Sequence, residues 1–538
     1  MRPLPGKTLL IGSGNCARRI ADGLAAKGAD MVIATLGQSF DGSLAAAAAG
    51  TATEQVKVYT QTKVLSCRGA AGHFEVALDH NGVEQRAAVE QIVIAGEEKR
   101  IPLFSSYGLT RTDTVMALSR LKRLLSESSV DLSRLSGLKS VVFLDGLEGE
   151  SNPVILEDIM WASLKLQANA KPKIYILTRN LKVGASGLEK MYRETRAAGV
   201  VYIKFTVTTP KIMPVENGRV KFEFTDEITG SSFRLTSDLT IVDEKIVPDD
   251  YTADLANIFG LDVDLNGFAQ GDNVHRLTVF TNRKGILVAG PIRNVQALSD
   301  QLIDADNALL SLLEAERSAA DQTKGKALIN DAKCVRCLTC LRLCPHRAIE
   351  VNTRVAVSPQ ACETCGICVA ECPRGAISIE DQAPPVHSVS SAGADRQPAK
   401  DPFVPAITAF CCSRSATSAA ELAVWLGQKL PGGLQIVEVS CGGSVSLSHI
   451  LKALASHADG VMVLTCHDGN CHSERGNIHA RQRVDQIKQL LSPMGLETGR
   501  LASISLAANT GVEFARALSE FEKQLLEMGP NRLITETS

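Results

Sequence analysis

Residues 9–37 read LLIGSGNCARRIADGLAAKGADMVIATLG: an apolar run, a glycine turn, a helical pattern and a second apolar run. That order describes a strand–turn–helix–strand unit, and the glycine spacing gives it chemical meaning. In G-x-G-x-x-G/A the first position makes the turn, the second lets backbone approach a pyrophosphate, and the third packs helix on strand. Gly12, Gly14 and Ala17 take those three places, so phosphate can sit at the helix N-terminus with the dipole behind it. The second strand should end in an acidic side chain for the ribose hydroxyls; it ends at Thr35, while Arg18 and Arg19 offer charge to phosphate. The pocket either holds FAD over Gly12, Gly14 and Ala17 or keeps the fold without the ligand. A later turn, VVFLDGLEGES at 141–151, has only Gly146 and Gly149. It lacks the close-set glycines of a nicotinamide site, and no NAD is expected.

With 538 residues the chain exceeds what one core organises, so several domains are expected. Apolar content of 45% and a net charge of −2 fit globular domains and give no electrostatic case for nucleic acid. The longest apolar runs are too short to span a bilayer, and MRPLPGK lacks a signal-peptide core. The expected location is the cytoplasm, with no transmembrane segment of the chain's own. Thirteen of the fifteen cysteines lie between 334 and 471. In a cytoplasmic chain that clustering points to metal rather than to disulfides.

Two stretches, CVRCLTCLRLCPHRAIEV from 334 and CETCGICVAECPRGAISI from 362, each read C-x2-C-x2-C-x3-C-P. A [4Fe-4S] cube needs four thiolates; the loop supplies three, and in two-cluster ferredoxins the cysteine before proline ligates the other cluster. Carried onto this chain, Cys334, Cys337, Cys340 and Cys372 hold one cluster, and Cys344, Cys362, Cys365 and Cys368 the other. A pair of zinc sites is the competing reading, which the tandem spacing and its two prolines disfavour. Buried clusters have no open position for substrate, so the role is one-electron relay.

Residues 381–405, rich in Pro, Ser and Ala without apolar periodicity, read as a flexible linker. Beyond them four apolar runs alternate with helical patterns, and three strands run into cysteine: Cys411 and Cys412, Cys441, then Cys466 with Cys471 five residues on. Ligands of parallel sheets gather outside the carboxyl ends of strands, so these five thiols are expected to converge. A [2Fe-2S] cluster, zinc, or a reactive dithiol on Cys411 and Cys412 fits that convergence, with His467 and His472 as further candidates. Cys16 and Cys67 read as inert core residues.

FCCSRS, CGGSVSLSHILKALASHADGVMVLTCHDGNCHSERGNIHARQRV and GVEFARALSEFEKQLLEMGP, within 406–531, resemble the delta subunit of methyl-viologen-reducing hydrogenase. The resemblance implies a [2Fe-2S] cluster and a link between hydrogenase or dehydrogenase subunits and heterodisulfide reductase. Where that family usually has a further cysteine, three residues past the vicinal pair, this chain has Ser415. Residues 1 to about 380, through VEQIVIAG, YILTRNLKVGASGLEKMYRETRAAGVVYIKFT and KGILVAG, resemble the A-type subunit of heterodisulfide reductase, an FAD protein ending in two [4Fe-4S] clusters. Absent are that family's ferredoxin-type insertion near the N-terminal domain, the cysteines after VVFLDG, and the threonine in IVIAG.

The expected fold is α/β: a two-lobed, disulfide-reductase-like flavoprotein region over 1–320 with its second lobe inserted at about 138–280. A two-cluster ferredoxin domain follows at 325–380, then the linker and a small parallel-sheet domain at 406–531. The expected function is an electron-transfer subunit of a heterodisulfide-reductase-like oxidoreductase complex, with hydrogenase-like or dehydrogenase-like partner subunits. Alternatives are a free-standing flavin-dependent oxidoreductase and a structural adaptor with an empty flavin pocket. No Ser/His/Asp or paired-carboxylate arrangement supports hydrolysis.

Overall fold

The computed structural model describes residues 7–40, 56–126, 137–150, 152–215, 218–227, 229–269, 278–319, 325–379 and 403–532. The chain forms two compact units. One comprises Met1–Gly96, Tyr251–Arg293 and Gln301–Ser538; the other comprises Glu97–Asp250 and Asn294–Asp300.

The first unit begins with a parallel sheet whose strand order is Ile286–Val288, Gln91–Ala95, Thr8–Gly12, Met31–Ala34, Val56–Tyr59. Its inner strands read as largely apolar runs because both faces are covered, while the edge strand Val56–Tyr59, VKVY, is half-exposed. Leu10, Met31, Ile33 and Val93 face Ile20 and Leu24 of the helix Asn15–Ala25, with Ala305 and Ala308 of the helix Leu298–Ala319. Leu9, Ile11, Val32 and Ile94 face the other way, onto Phe74, Val76 and Leu78 of an antiparallel meander and onto Phe259. This layering is that of the first lobe of a flavoprotein-type α/β fold.

In the second unit a parallel sheet runs Val201–Lys204, Lys173–Thr178, Ser140–Asp145, Leu239–Val242, Val115–Ala117, beside a three-stranded antiparallel sheet. The unit starts at Glu97, well before the lobe expected at 138–280; its main segment ends at Asp250, and Asn294–Asp300 returns to it. Its limiting strands, Glu98–Pro102 and Glu244–Pro248, pair antiparallel with each other. They are short, half-exposed and without apolar alternation, so nothing in their sequence announces a domain border.

At the carboxyl ends of the two central strands, where a pyrophosphate would need open backbone N–H groups, the unit buries its own carboxyl groups. Thr178 Oγ1 donates to Asp145 Oδ2 at 2.7 Å, and Gly146 N donates to Asp243 Oδ2 at 2.7 Å. Burial pushes the Asp243 carboxyl up to about 6. An unfolded aspartate titrates near ~3.9, so the stability this group contributes is full below about pH 4 and is lost as pH rises through about 6. Asp243→Asn is expected to protect the strand Ser140–Asp145 against hydrogen exchange more than wild type at pH 8, with the advantage gone at pH 4. A pH-independent difference contradicts the assignment.

Residues 326–379 form two short antiparallel pairs and two short helices, Thr339–Leu343 and Ile367–Ala370. The final region is a four-stranded parallel sheet ordered Leu434–Val439, Ile407–Cys412, Gly460–Thr465, Leu501–Ser505. The helices Ala416–Trp425 and Gly511–Met528 cover one face; Leu447–Ser456 and Gly476–Leu491 cover the other. Among the described residues no helix is long and apolar enough to cross a membrane. Most of the expected linker falls on residues 380–402, outside the described residues.

Candidate iron–sulfur sites

The two C-x2-C-x2-C loops have one backbone plan. Between their ligands, Arg336 and Leu338 in the first and Thr364 and Gly366 in the second all have positive φ, from 52° to 74°. A left-handed residue on each side of the middle cysteine curls the loop, so that successive thiols turn toward a common centre. The plan extends past the fourth cysteine: Ala348 N donates to Cys344 Sγ at 3.3 Å and Ala376 N to Cys372 Sγ at 3.2 Å. Leu338 holds φ 59° where the second loop has Gly366, a strain that an L-residue carries only when its surroundings fix it.

Two hollows result. Cys334, Cys337, Cys340 and Cys372 line one, with Ile329, Val355 and Ile377 around them. Cys344, Cys362, Cys365 and Cys368 line the other, with Ile349, Val357 and Ile379. Each hollow takes three thiols from one loop and the fourth from the opposite motif. Burial pushes the Cys365 and Cys368 thiols up to about 12. They would stay protonated at neutral pH alone, and a metal that binds them displaces those protons. Four sulfurs in an apolar hollow are the donor set of an iron–sulfur cluster.

In the C-terminal sheet, strand alternation separates the vicinal pair. Adjacent residues point to opposite faces: Ile407, Ala409 and Cys411 enter the core of Ala419, Phe514 and Leu518, and burial pushes the Cys411 thiol up. Cys412 takes the other face and meets Cys441, Cys466 and Cys471 in one buried group, with Cys412 Sγ 3.7 Å from Cys466 Sγ. Of the five thiols expected to converge, four are together and Cys411 is not among them. Among the histidines, His467 is exposed. His472 lies over His346, ring centroids 6.4 Å apart.

Two glycines make room for this group. A Cβ on Gly476, at the start of the helix Gly476–Leu491, would lie 2.2 Å from Cys441 Sγ and 3.4 Å from Cys471 Sγ. A Cβ on Gly443 would lie 2.7 Å from Ile367 Cγ1 and 2.9 Å from Gly476 Cα. The second clash shows what the sequence did not: the module is packed on the ferredoxin domain. Cys365 and Ile367 belong to the same buried group as Cys412, Cys441, Cys466 and Cys471.

Arg483, 3% exposed, fastens the contact. Its Nη1 donates to Gly443 O and Val445 O at 2.7 and 2.8 Å, while Nε and Nη2 donate to Glu371 Oε1 at 2.9 and 2.5 Å. One guanidinium thus ties the loop after Cys441 to the residue before Cys372. Beside the contact lies a polar hollow lined by Cys365, Glu363, Arg414, His472 and Ser473.

The nucleotide cradle is formed in part. Gly12 has φ +139°, and a Cβ there would lie 1.9 Å from Ala95 O on the neighbouring strand. Gly14 caps the helix Asn15–Ala25 with no side-chain hydrogen bond, and Ala17 is buried beneath it. Arg18 Nε is buried and unpartnered, whereas Arg19 pairs with Asp306 at 2.9 Å. These residues fit the pyrophosphate of a dinucleotide. The ribose end does not fit: Thr35 is buried, and its Oγ1 accepts from Gly37 N at 3.0 Å.

Two sets of four thiols in a ferredoxin-type domain, followed by a parallel-sheet module that gathers four more, mark an iron–sulfur protein of the electron-transfer class. Residues 407–529 match the family "Methyl-viologen-reducing hydrogenase, delta subunit" and residues 326–373 match "4Fe-4S dicluster domain". The chain is 33% identical over 126 residues to the D-type iron-sulfur subunit of F420-non-reducing hydrogenase from Archaeoglobus profundus, covering 23% of this chain and 92% of that protein. It is 26% identical over 358 residues to the A-type subunit of ferredoxin:CoB-CoM heterodisulfide reductase from Methanosarcina mazei, covering 65% of this chain and 44% of the relative. It therefore spans less than half the length of that relative. Among solved structures, T. acidophilum thioredoxin reductase aligns with a TM-score of 0.39 and 16% identity, covering 58% of this chain and 98% of that one; that likeness adds nothing to the topology described above. Through its C-terminal region the chain belongs to the methyl-viologen-reducing hydrogenase delta subunit family, fused to a region that is similar to the A-type subunit of heterodisulfide reductase.

Proposed function

We propose that this chain is an electron-transfer subunit of a cytoplasmic, heterodisulfide-reductase-like oxidoreductase complex, with hydrogenase-like or dehydrogenase-like partner subunits. Its internal relay runs between two [4Fe-4S] clusters and a C-terminal [2Fe-2S] cluster. The observation that carries this reading is the packing of Cys365 and Ile367 against Cys412, Cys441, Cys466 and Cys471. Clusters bound at Cys365 and at the C-terminal four thiols would have only side chains between them, and would supply one-electron transfer without a diffusing carrier. Cys334, Cys337, Cys340 and Cys372 hold the outer [4Fe-4S] cluster; Cys344, Cys362, Cys365 and Cys368 hold the one at the contact. Cys412, Cys441, Cys466 and Cys471 hold the [2Fe-2S] cluster, and Cys411 is structural. The names of the relatives, one from a ferredoxin:CoB-CoM heterodisulfide reductase and the other from a hydrogenase, support partners of those two kinds.

The chain's residues do three things in this relay. Thiolates anchor iron, the buried apolar lining excludes water, and Arg483 keeps the two cluster domains in contact. Anaerobic native purification tests the reading: redox partner subunits are expected to co-purify, and Cys466→Ser is expected to abolish electron exchange with them while the ferredoxin clusters assemble. Undiminished exchange in that variant contradicts it.

The pyrophosphate of FAD is assigned to Gly12, Gly14 and Ala17, an assignment that the relay does not require. Gly14→Val is expected to expel flavin, because a branched side chain takes the space of the phosphate. A variant that retains about one FAD per chain, or wild type that never binds flavin, contradicts the assignment.

A further inference from the structure

The two [4Fe-4S] hollows differ in their access to water. Cys362, Cys365 and Cys368, around the cluster at the contact, are 7%, 9% and 9% exposed, whereas Cys337 of the outer cluster is exposed. Reduction adds a negative charge, and burial disfavours added charge. By burial alone the inner cluster, the one at the contact, is the harder of the two to reduce. In the proposed relay it stands between the other two clusters, so every electron must cross it.

One side chain opposes that burial. Lys326 stands immediately before the strand Ala327–Ile329, and Ala327 lines the inner hollow together with Ile379 of the paired strand. That register brings the half-buried lysine alongside the second cysteine loop, where its Nζ donates to Cys362 O at 2.8 Å. Among the described residues Lys326 has no carboxylate partner. Lys284, the other lysine at this loop, is paired with Glu363, which cancels its charge. The outer loop has a cation of its own, Arg342, whose Nη2 donates to Cys337 O at 3.1 Å. Arg342 is exposed, so water and salt screen it.

We propose that Lys326 raises the reduction potential of the inner [4Fe-4S] cluster and so keeps a buried cluster from interrupting the relay. Lys326 is not a ligand, and this inference rests on the relay reading above. The inner cluster gains one electron as the outer cluster loses one; no bond breaks, and the lysine keeps its protons. A positive charge held at a ligand's carbonyl, away from bulk water, stabilises the reduced form more than the oxidised form.

The test is a redox titration of the full chain, purified anaerobically and followed by EPR, with iron and sulfide analysis. Lys326→Met is expected to shift the one-electron equilibrium of one [4Fe-4S] cluster toward the oxidised form by about tenfold, equivalent to ~59 mV, and to leave the other where it is. Lys326→Gln, which still carries a donor for the Cys362 carbonyl but no charge, is expected to match Lys326→Met. Lys326→Arg, which keeps the charge, is expected to match wild type. Uncharged variants with both clusters present and both equilibria unmoved, or both moved alike, overturn the inference and leave the relay standing. Loss of the inner cluster's iron from Lys326→Gln overturns it too, since the lysine would then anchor the loop rather than tune the cluster. Wild type without two [4Fe-4S] clusters overturns the relay reading as well, which separates the two failures.

Discussion

Gly476→Ala is expected to empty the C-terminal sulfur site of iron while both ferredoxin clusters assemble. The added methyl carbon would lie 2.2 Å from Cys441 Sγ and 3.4 Å from Cys471 Sγ. It cannot move away freely, because Gly476 begins the helix Gly476–Leu491, whose Ala480, Val484 and Ile487 are fixed in the module's core. The sulfurs must yield, and a cluster tolerates little displacement of its ligands. Overpacking of this kind costs roughly 1–3 kcal/mol in an ordinary core; the upper end lowers cluster occupancy about a hundredfold, at about 1.4 kcal/mol per factor of ten. Iron and sulfide analysis with EPR on the anaerobic protein reads the result. A variant that keeps the full C-terminal cluster contradicts the placement of Cys441 and Cys471 around it.

Arg483→Met is expected to part the module from the ferredoxin domain. Methionine fills much of the volume but leaves the carbonyls of Gly443 and Val445 and the carboxylate of Glu371 without the donors they have in wild type. Removing one partner of such a buried, charge-assisted set costs about 3–5 kcal/mol. Because the guanidinium bridges two domains, much of that loss falls on their contact. The expected outcome is at least about a tenfold slower reduction of the C-terminal cluster from the [4Fe-4S] pair, by the same conversion of about 1.4 kcal/mol per factor of ten, with all clusters present. Glu371→Gln keeps an acceptor and should slow it less. Stopped-flow absorbance of the full chain measures both, and wild-type rates in Arg483→Met contradict the role of this contact.

Sequence is most legible where the chemistry is local. Eight cysteines in two C-x2-C-x2-C-x3-C-P runs determine their grouping, because a loop that short has one way to turn three thiols inward. Adjacent Cys411 and Cys412 could not be told apart on spacing, since both end the same apolar run; strand alternation and the two helical layers decide between them. Gly476 and Arg483 lie in GNIHARQR, within an unremarkable helical pattern. Their importance comes from Cys441 and Glu371, which only the folded chain brings near. The docked module was likewise invisible, because a polar linker resembles a free tether whether or not the domains it joins adhere. Asp145 and Asp243 ended apolar strands without any motif to mark a crevice filled by its own carboxyl groups.

In the proposed relay, electrons cross directly between the ferredoxin domain and the C-terminal site. EPR of the full-length, anaerobic protein through a stepwise reductive titration tests it most directly. The expected [2Fe-2S] signal is simple while the neighbouring [4Fe-4S] cluster is oxidised and becomes split or broadened by magnetic coupling once that cluster is reduced. A [2Fe-2S] signal unchanged at every potential, or none at all, contradicts it.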